Sequence, residues 1–404
     1  MIQRDLYMNR IRPFIGNELV KVITGIRRSG KSVMLQLIRR ELSNQGVDDS
    51  HFIEYNFEDL RLSHLRTAEA LYEELFARIA QIGGKAYLFL DEIQEVERWE
   101  TCVNSLRATC DCDIYITGSN ATLLSGELAT YLAGRYVEFV IYPFSFEEFS
   151  QMYLSLFPDT DPRDLFLNYL SQGGMPYLGN LRFAEEPSRQ YLKDVYNSVV
   201  LKDVVKRNNV RNVELLTKIL AYLFMNMGST FSAHSIAKYF KSENRTVAPE
   251  TVMNYIQYCE DAFLLCKIPR YDLPGKKILT INEKYYVADH GLRDAVFSDN
   301  RKDIGLVLEN IVCLEALRRG YRVTVGRAGV REIDFICEKD GEKVYIQVAY
   351  LLASEETVQR EFGAFDSVRD HFPKYVVSLD DVDMSQNGIH HKNMRDFLLM
   401  PSWH

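Results

Sequence analysis

The stretch Gly25-Ile26-Arg27-Arg28-Ser29-Gly30-Lys31-Ser32 follows an apolar run, Leu19–Thr24, and precedes a segment of helical periodicity, Val33–Leu42. A G-x-x-x-x-G-K-S loop between strand and helix is built to hold phosphate. Its small residues let consecutive backbone N–H groups turn inward around the anion, at the positive end of the following helix. Lys31 is then expected to reach the β- and γ-phosphates, and Ser32 to offer its hydroxyl to Mg²⁺. The nucleotide-binding set is Gly25, Ile26, Arg27, Arg28, Ser29, Gly30, Lys31 and Ser32, with Val33 in the first helical turn. Such a loop commits this part of the chain to a parallel α/β sheet with its ligand at the carboxyl edge.

The segments that follow agree with that commitment. Strand-like runs at His51–Phe57, Tyr87–Leu90, Ile114–Thr117 and Tyr136–Ile141 are interleaved with helical patterns such as Ala68–Ile82 and Trp99–Thr109. Alternating strands and helices give a parallel sheet covered on both faces. The second of these strands ends in Asp91-Glu92, the form of a Walker B element. Asp91 is expected to hold Mg²⁺ through its water shell, and Glu92 to polarise the attacking water as a general base. Ile114–Thr117 runs into Gly118-Ser119-Asn120, where Asn120 or Ser119 can sense the γ-phosphate, although Gly-Ser-Asn is also good turn chemistry. Arg135, just before the last strand, is the candidate catalytic cation, from the same or a neighbouring subunit. Phosphoryl transfer lacking such a guanidinium is slower by roughly 10³–10⁵.

Length and composition set the outer limits. At 404 residues a prior of roughly one domain per 100–200 residues gives two to four. With 47% hydrophobic and 26% charged residues the chain reads as globular. No apolar run reaches the roughly 18–20 residues of a membrane helix, and Met1–Phe14 alternates charge with bulk, so a cytoplasmic protein with no membrane contact is expected. The seven cysteines are scattered, and Cys110-x-Cys112 is too tight for usual zinc-ligand spacing. Reduced structural thiols are expected, and His390-His391 reads as a surface pair. A net charge of −8 argues against a wholly nucleic-acid-coating surface but leaves one basic groove open.

Gly25–Ser32 with its Arg-Arg pair, Leu90–Gln94 followed by Trp99-Glu100, Thr117–Asn120, Leu132–Arg135 and Pro143–Phe149 together resemble the AAA-type ATPases of the archaeal and bacterial ATP-binding protein superfamily. The resemblance implies ATP and Mg²⁺ as cofactors and an ATPase activity that drives a conformational switch. It also implies a fold in four parts: an AAA-type P-loop core at 1–150, a helical lid at 151–209, a winged helix at 210–297 and an α/β restriction-endonuclease-like domain at 298–404. ATP over GTP rests on this resemblance alone.

The residues beyond 150 can also be read directly. Asp164–Gln172 and Gln190–Lys206 are helical, with Lys202 or Arg207 as cations for a lid. Three helical patterns, Val213–Met227, Ser232–Phe240 and Pro249–Ala262, lead into two strands, Phe263–Pro269 and Lys277–Ile281, as a winged helix would. The third helix holds Glu250, Glu260 and Asp261 and no Lys or Arg, poor material for a DNA groove. Basic residues lie instead at Lys238, Lys241, Arg245, Arg270, Lys276 and Lys277, which leaves DNA an open partner beside a homo-oligomer and a protein of unknown kind. In the tail, Glu309 and Asp334 occupy acid positions of a nuclease-like site, but Gln347 and Ala349 stand where an acid and a lysine are required. The expectation is an inactive nuclease fold, with Lys343 or Lys374 the candidate substitute lysines and metal-dependent cleavage the least favoured alternative.

Overall fold

The interior strand β1, Val20–Thr24, is buried at every position, yet it carries a lysine. Lys21 lies wholly inside because its charge has partners: Nζ donates to Asp113 Oδ1 at 2.5 Å and to the Asn17 carbonyl at 2.9 Å. Asp113 also accepts from the Gly16 N–H and the Tyr115 hydroxyl, each at 2.7 Å. Burial pushes the Lys21 ammonium down from its usual range, and Asp113 opposes the shift. This pair locks β1 to β4, Cys112–Thr117, at the middle of the sheet.

The structure is a computed structural model, described over all residues except 1, 125–131, 243–246, 274, 276, 298 and 329–330. It divides into two compact units, Met1–Ile141 with Asp261–Phe263, and Tyr142–Glu260 with Leu264–His404. In the first, β2 (Phe52–Asn56), β3 (Ala86–Asp91) and β5 (Tyr136–Val140) join β4 and β1 in the order β2-β3-β4-β1-β5, all parallel. Alternating side chains feed two cores. Leu88, Leu90, Ile114 and Ile116 pack with residues of α3 (Ala68–Ile79) and α4 (Trp99–Thr109), whereas Phe89, Tyr115 and Phe139 pack with α1 (Asp5–Ile11) and α2 (Lys31–Asn44). The helix read from the sequence as Ala68–Ile82 therefore stops three residues early, ahead of Gly83-Gly84.

The second unit opens with α5, Phe146–Leu156, entered through a full capping box between Ser145 and Glu148. α6 (Pro162–Gln172) and α7 (Glu185–Ser198) follow, the latter continuing as a π-helical segment, Val199–Lys206. Next come α8 (Val213–Met225), α9 (Ala233–Ser242), α10 (Pro249–Asp261), β6 (Leu265–Asp272), β7 (Lys277–Val287), α11 (His290–Val296) and α12 (Ile304–Arg318). The tail supplies β8 (Arg322–Ala328), β9 (Arg331–Lys339), β10 (Glu342–Val348), α13 (Glu355–Gly363), β11 (Lys374–Ser378), β12 (His390–Asn393) and α14 (Met394–Leu399).

Two differences from the sequence reading follow. β6 and β7 are not a free-standing wing: β6 pairs in parallel with β8, so one sheet runs β12-β11-β10-β9-β8-β6-β7 across the expected 297/298 boundary. The segment Pro143–Phe149, expected with the core, makes its contacts with residues of the second unit. Phe144 N–H donates to the Gly174 carbonyl at 2.7 Å, Tyr169 hydroxyl to the Phe144 carbonyl at 3.3 Å, and Arg318 to the Pro143 carbonyl at 3.2 Å. Lys276 and Arg245, two of the expected basic contacts, lie outside the described residues. All seven cysteines are free thiols. His391 is buried rather than exposed, held between Ser378 and the Met384 N–H. No helix among the described residues is long and apolar enough to cross a membrane.

Candidate functional site

The carboxyl ends of β1, β3 and β4 lie side by side, and each delivers polar groups to the same edge. After Thr24 the chain enters Gly25 at φ +136°, where a Cβ would stand 2.2 Å from the Ile141 carbonyl oxygen. Only glycine fits there. Ile26 is buried, Arg27 is half-buried and pairs with Glu58 at 3.1 Å, and Arg28 is exposed at φ 70°. Ser29 is fully buried, and its hydroxyl has no hydrogen-bond partner. Gly30, at φ +101°, begins α2 with no side-chain cap, so the first amides of a 14-residue helix face the loop. Lys31 is buried with its ammonium on the loop's own carbonyls, 3.1 Å from Gly25 and 3.2 Å from Ile26. Ser32 is exposed and Val33 half-buried in the first turn.

The acids arrive on β3. Asp91 Oδ2 accepts from Asn56 Nδ2 at 3.0 Å, and Oδ1 accepts from the Thr117 hydroxyl at 2.5 Å. The same Thr117 oxygen accepts from the Glu92 N–H at 2.9 Å, so one β4 side chain fixes both acids. Glu92 is buried in the left-handed region at φ 54°, and its carboxylate accepts from Gln94 Nε2. Burial pushes its pKa up, with Lys31 the leading opposing charge. Ser119 and Asn120 are buried just beyond β4.

Arg135 is not brought to this edge. It is exposed at the amino end of β5, its carbonyl accepting from Val20 N–H at 3.0 Å and its guanidinium reaching Asn104 at 3.3 Å. β5 and β1 are parallel with Tyr136 opposite Val20, so Arg135 is separated from the loop by the strand's length, roughly 13 Å at the usual rise. Three residues of the edge were absent from the expected set. Arg4, buried in the left-handed region, donates to the Ser29 carbonyl at 2.9 Å. Asn56 lies in register with Asp91 at the end of β2, a polar strand end that the sequence displays. Thr117 closes β4 in the same way.

A second polar cluster lies in the other unit. Glu309 and Asp334 do come together, but around Lys284 of β7: its ammonium is 3.0 Å from Glu309 and 2.7 Å from Glu332. Lys343 instead pairs with Glu338, and Lys374 donates to the Asp370 and Phe372 carbonyls, which corrects both expected substitutes. Gln347 bridges the Asp334 N–H at 3.2 Å and Glu361 at 2.8 Å. Burial, then the charge of Glu309, holds the Asp334 carboxyl well above its usual range. Among the described residues no group of three or more His, Cys, Asp or Glu side chains is placed to hold a metal ion.

The first unit's strand order, with the glycine loop after the strand between β4 and β5 and the acids on β3, defines an AAA-type P-loop domain. Residues 17–150 match the family model described as an AAA domain. The whole chain belongs to the family of a Haemophilus influenzae protein described as uncharacterised, 37% identical over 382 residues that cover 94% of this chain and 93% of that one. A Methanocaldococcus jannaschii protein, also described as uncharacterised, is 33% identical over 90% of this chain and 81% of its own. Residues 163–303 match a model described as a domain of unknown function. Among solved structures, the Aeropyrum pernix ORC1 protein in complex with DNA is similar at 15% identity and a TM-score of 0.35, covering 73% of this chain and 92% of its own. Cdc6p from Pyrobaculum aerophilum is similar at 10% identity and a TM-score of 0.31, over 77% and 93%.

Proposed function

We propose that this protein binds and hydrolyses Mg·ATP at the carboxyl edge of its five-stranded sheet. The observation that carries the reading is the convergence there of an uncapped helix start, a buried lysine and a hydrogen-bonded pair of acids from three adjacent strands. The residues fit a triphosphate and its metal. The orphaned Ser29 hydroxyl and the open amides of α2 ask for an acceptor, and the left-handed glycines leave the backbone clear. Ser32 and Asp91 would hold Mg²⁺, which when bound neutralises charge on the phosphate oxygens.

In this reading Lys31 exchanges the Gly25 and Ile26 carbonyls for β- and γ-phosphate oxygens, a net gain because the new acceptors are anionic. Glu92 takes the proton from the attacking water; a carboxylate raised by burial is a better base than an exposed one. Asn120 orients the γ-phosphate or the water. Arg135 acts on the nucleotide of a neighbouring subunit, because its own lies at the opposite edge of the sheet. The helical segment from 151 serves as a lid, the helices α8–α10 as the helical part of a winged-helix variant, and the seven-stranded sheet β6–β12 with its helices as a nuclease-like domain whose catalytic lysine slot is lost. Nucleotide state then biases the second unit by its differential contacts in two arrangements.

The test is paired. Lys31→Ala should lose both nucleotide binding and hydrolysis, whereas Glu92→Gln should keep binding and lose hydrolysis. A robust steady-state rate in Glu92→Gln rules out the assigned base.

A further inference from the structure

The phosphate loop carries two arginines, and they differ in place. Arg28 is exposed, with φ 70°. Arg27 is half-buried, and its guanidinium donates to Glu58 Oε1 at 3.1 Å. Arg27 lies three residues past the end of β1, and Glu58 two residues past the end of β2. In the order β2-β3-β4-β1-β5 those two strands are three ladders apart, roughly 14 Å at the usual spacing. A contact between the segments that follow them therefore crosses the carboxyl ends of β4 and β3. Those ends carry Thr117, Asp91 and Glu92.

The crossing is anchored on the side of the acids. Phe57 N–H donates to the Asp91 carbonyl at 3.0 Å, Asn56 Nδ2 to Asp91 Oδ2 at 3.0 Å, and Glu58 N–H to Asn56 Oδ1 at 2.9 Å. The segment that bears Glu58 is thus tied to the strand end that bears Asp91. The charge of Arg27 also reaches Glu92: burial raises that carboxyl, and Lys31, the hydrogen bond from Gln94 and then Arg27 oppose the rise. Loop lysine, loop arginine and paired acids share one edge.

The partner that holds Arg27 is easily exchanged. Its side chain is 14% exposed, but that of Glu58 is 54% exposed, and a carboxylate open to water gives a weak pair. Phosphoryl oxygens, which a guanidinium grips with two parallel N–H groups, are the stronger acceptors.

We propose, resting on the reading that Mg·ATP is hydrolysed at this edge, that Arg27 is a catalytic residue of its own subunit, leaving Glu58 to hold the γ-phosphoryl oxygens. The water oxygen bonds to the γ-phosphorus as the bond from phosphorus to the bridging oxygen breaks. The bridging oxygen keeps that electron pair and departs with ADP, and the water's proton passes to Glu92. Arg27 exchanges no proton and acts through its charge and its N–H donors. A neighbour's Arg135 adds to this charge and does not replace it.

The test uses the full chain and three measurements: steady-state hydrolysis, ADP affinity, and trapping of ADP with aluminium fluoride as a mimic of the transferring phosphoryl group. Arg27→Ala should lower kcat by about a hundredfold or more, keep ADP affinity within about threefold, and fail to trap the fluoride complex that the parent holds. Retained ADP affinity shows that the loop is still folded. Arg27→Lys, which keeps the charge without the fork, should fall between the two in rate and trapping. Hydrolysis and trapping in Arg27→Ala equal to the parent's would overturn the assignment while leaving the nucleotide site intact. So would an equal loss of ADP and ATP-analogue affinity in both variants, which marks Arg27 as a support of the loop. A parent that neither binds ADP nor hydrolyses ATP would remove the nucleotide reading itself, and this assignment with it.

Discussion

Glu92 is held at φ 54°, a backbone conformation that costs a non-glycine residue about 1–3 kcal/mol. Its N–H bond to Thr117 and its side-chain bond from Gln94 keep it there. Thr117→Val deletes the acceptor of that N–H and the donor to Asp91 together. Hydrolysis should fall at least tenfold with nucleotide affinity changed far less, measured by steady-state rate and by equilibrium binding. Because burial raises the Glu92 carboxyl, the proposed base is lost to protonation at a higher pH than an ordinary glutamate. The acid limb of the rate profile should therefore lie above the ordinary glutamate range. Gly25→Ala should fail for a geometric reason, since φ +136° and a 2.2 Å approach to the Ile141 carbonyl admit no Cβ. The loop and the acids were legible in the sequence because their chemistry fixes residue type at fixed spacing. Thr117, Asn56 and Arg4 were not singled out, because their roles come from strands placed side by side, which the sequence does not display.

At the scale of elements, β1 shows how a pattern can mislead. Lys21 interrupts an apolar strand, but Asp113 in β4 answers it across one ladder. Asp113→Ala should destabilise the protein by about 3–5 kcal/mol, the cost of stranding a buried charge, in denaturant unfolding. α11 offers a pH test. His290 is buried, and desolvation drops its pKa from 6.5 to about 4. The unfolded chain then binds the extra proton, so this group's contribution is lost as pH falls from 6.5 towards 4. Asp289 beside it is raised by burial from 3.8 to about 6, so its contribution is gained as pH falls over nearly the same window. The two slopes oppose each other. His290→Gln should leave the Asp289 slope exposed, and its thermal stability relative to the parent should improve as pH drops from 6.5 to 4. Lys284 was missed because β7 lies far in sequence from the acids it meets.

Across the whole molecule, two units share the chain, and the pairing of β6 with β8 joins β6–β12 in one sheet across the expected 297/298 boundary. Periodicity identifies strands but not which strands share a ladder, which is why that boundary was misplaced. The position of Arg135 makes a prediction about assembly. If it serves a neighbour, Arg135→Ala and Lys31→Ala proteins, each inactive alone, should regain part of the ATPase rate when mixed, because some interfaces then pair an intact loop with an intact arginine. Additivity with no recovery would place the transition-state cation elsewhere. The most direct test of the central claim is a crystal structure with Mg²⁺ and a non-hydrolysable ATP analogue. The β-phosphate should lie within Gly25–Ser32, with Lys31 turned from the Gly25 and Ile26 carbonyls to phosphate oxygens and Glu92 facing the γ-phosphate. An analogue bound away from that loop, with Lys31 still on its carbonyls, would contradict it.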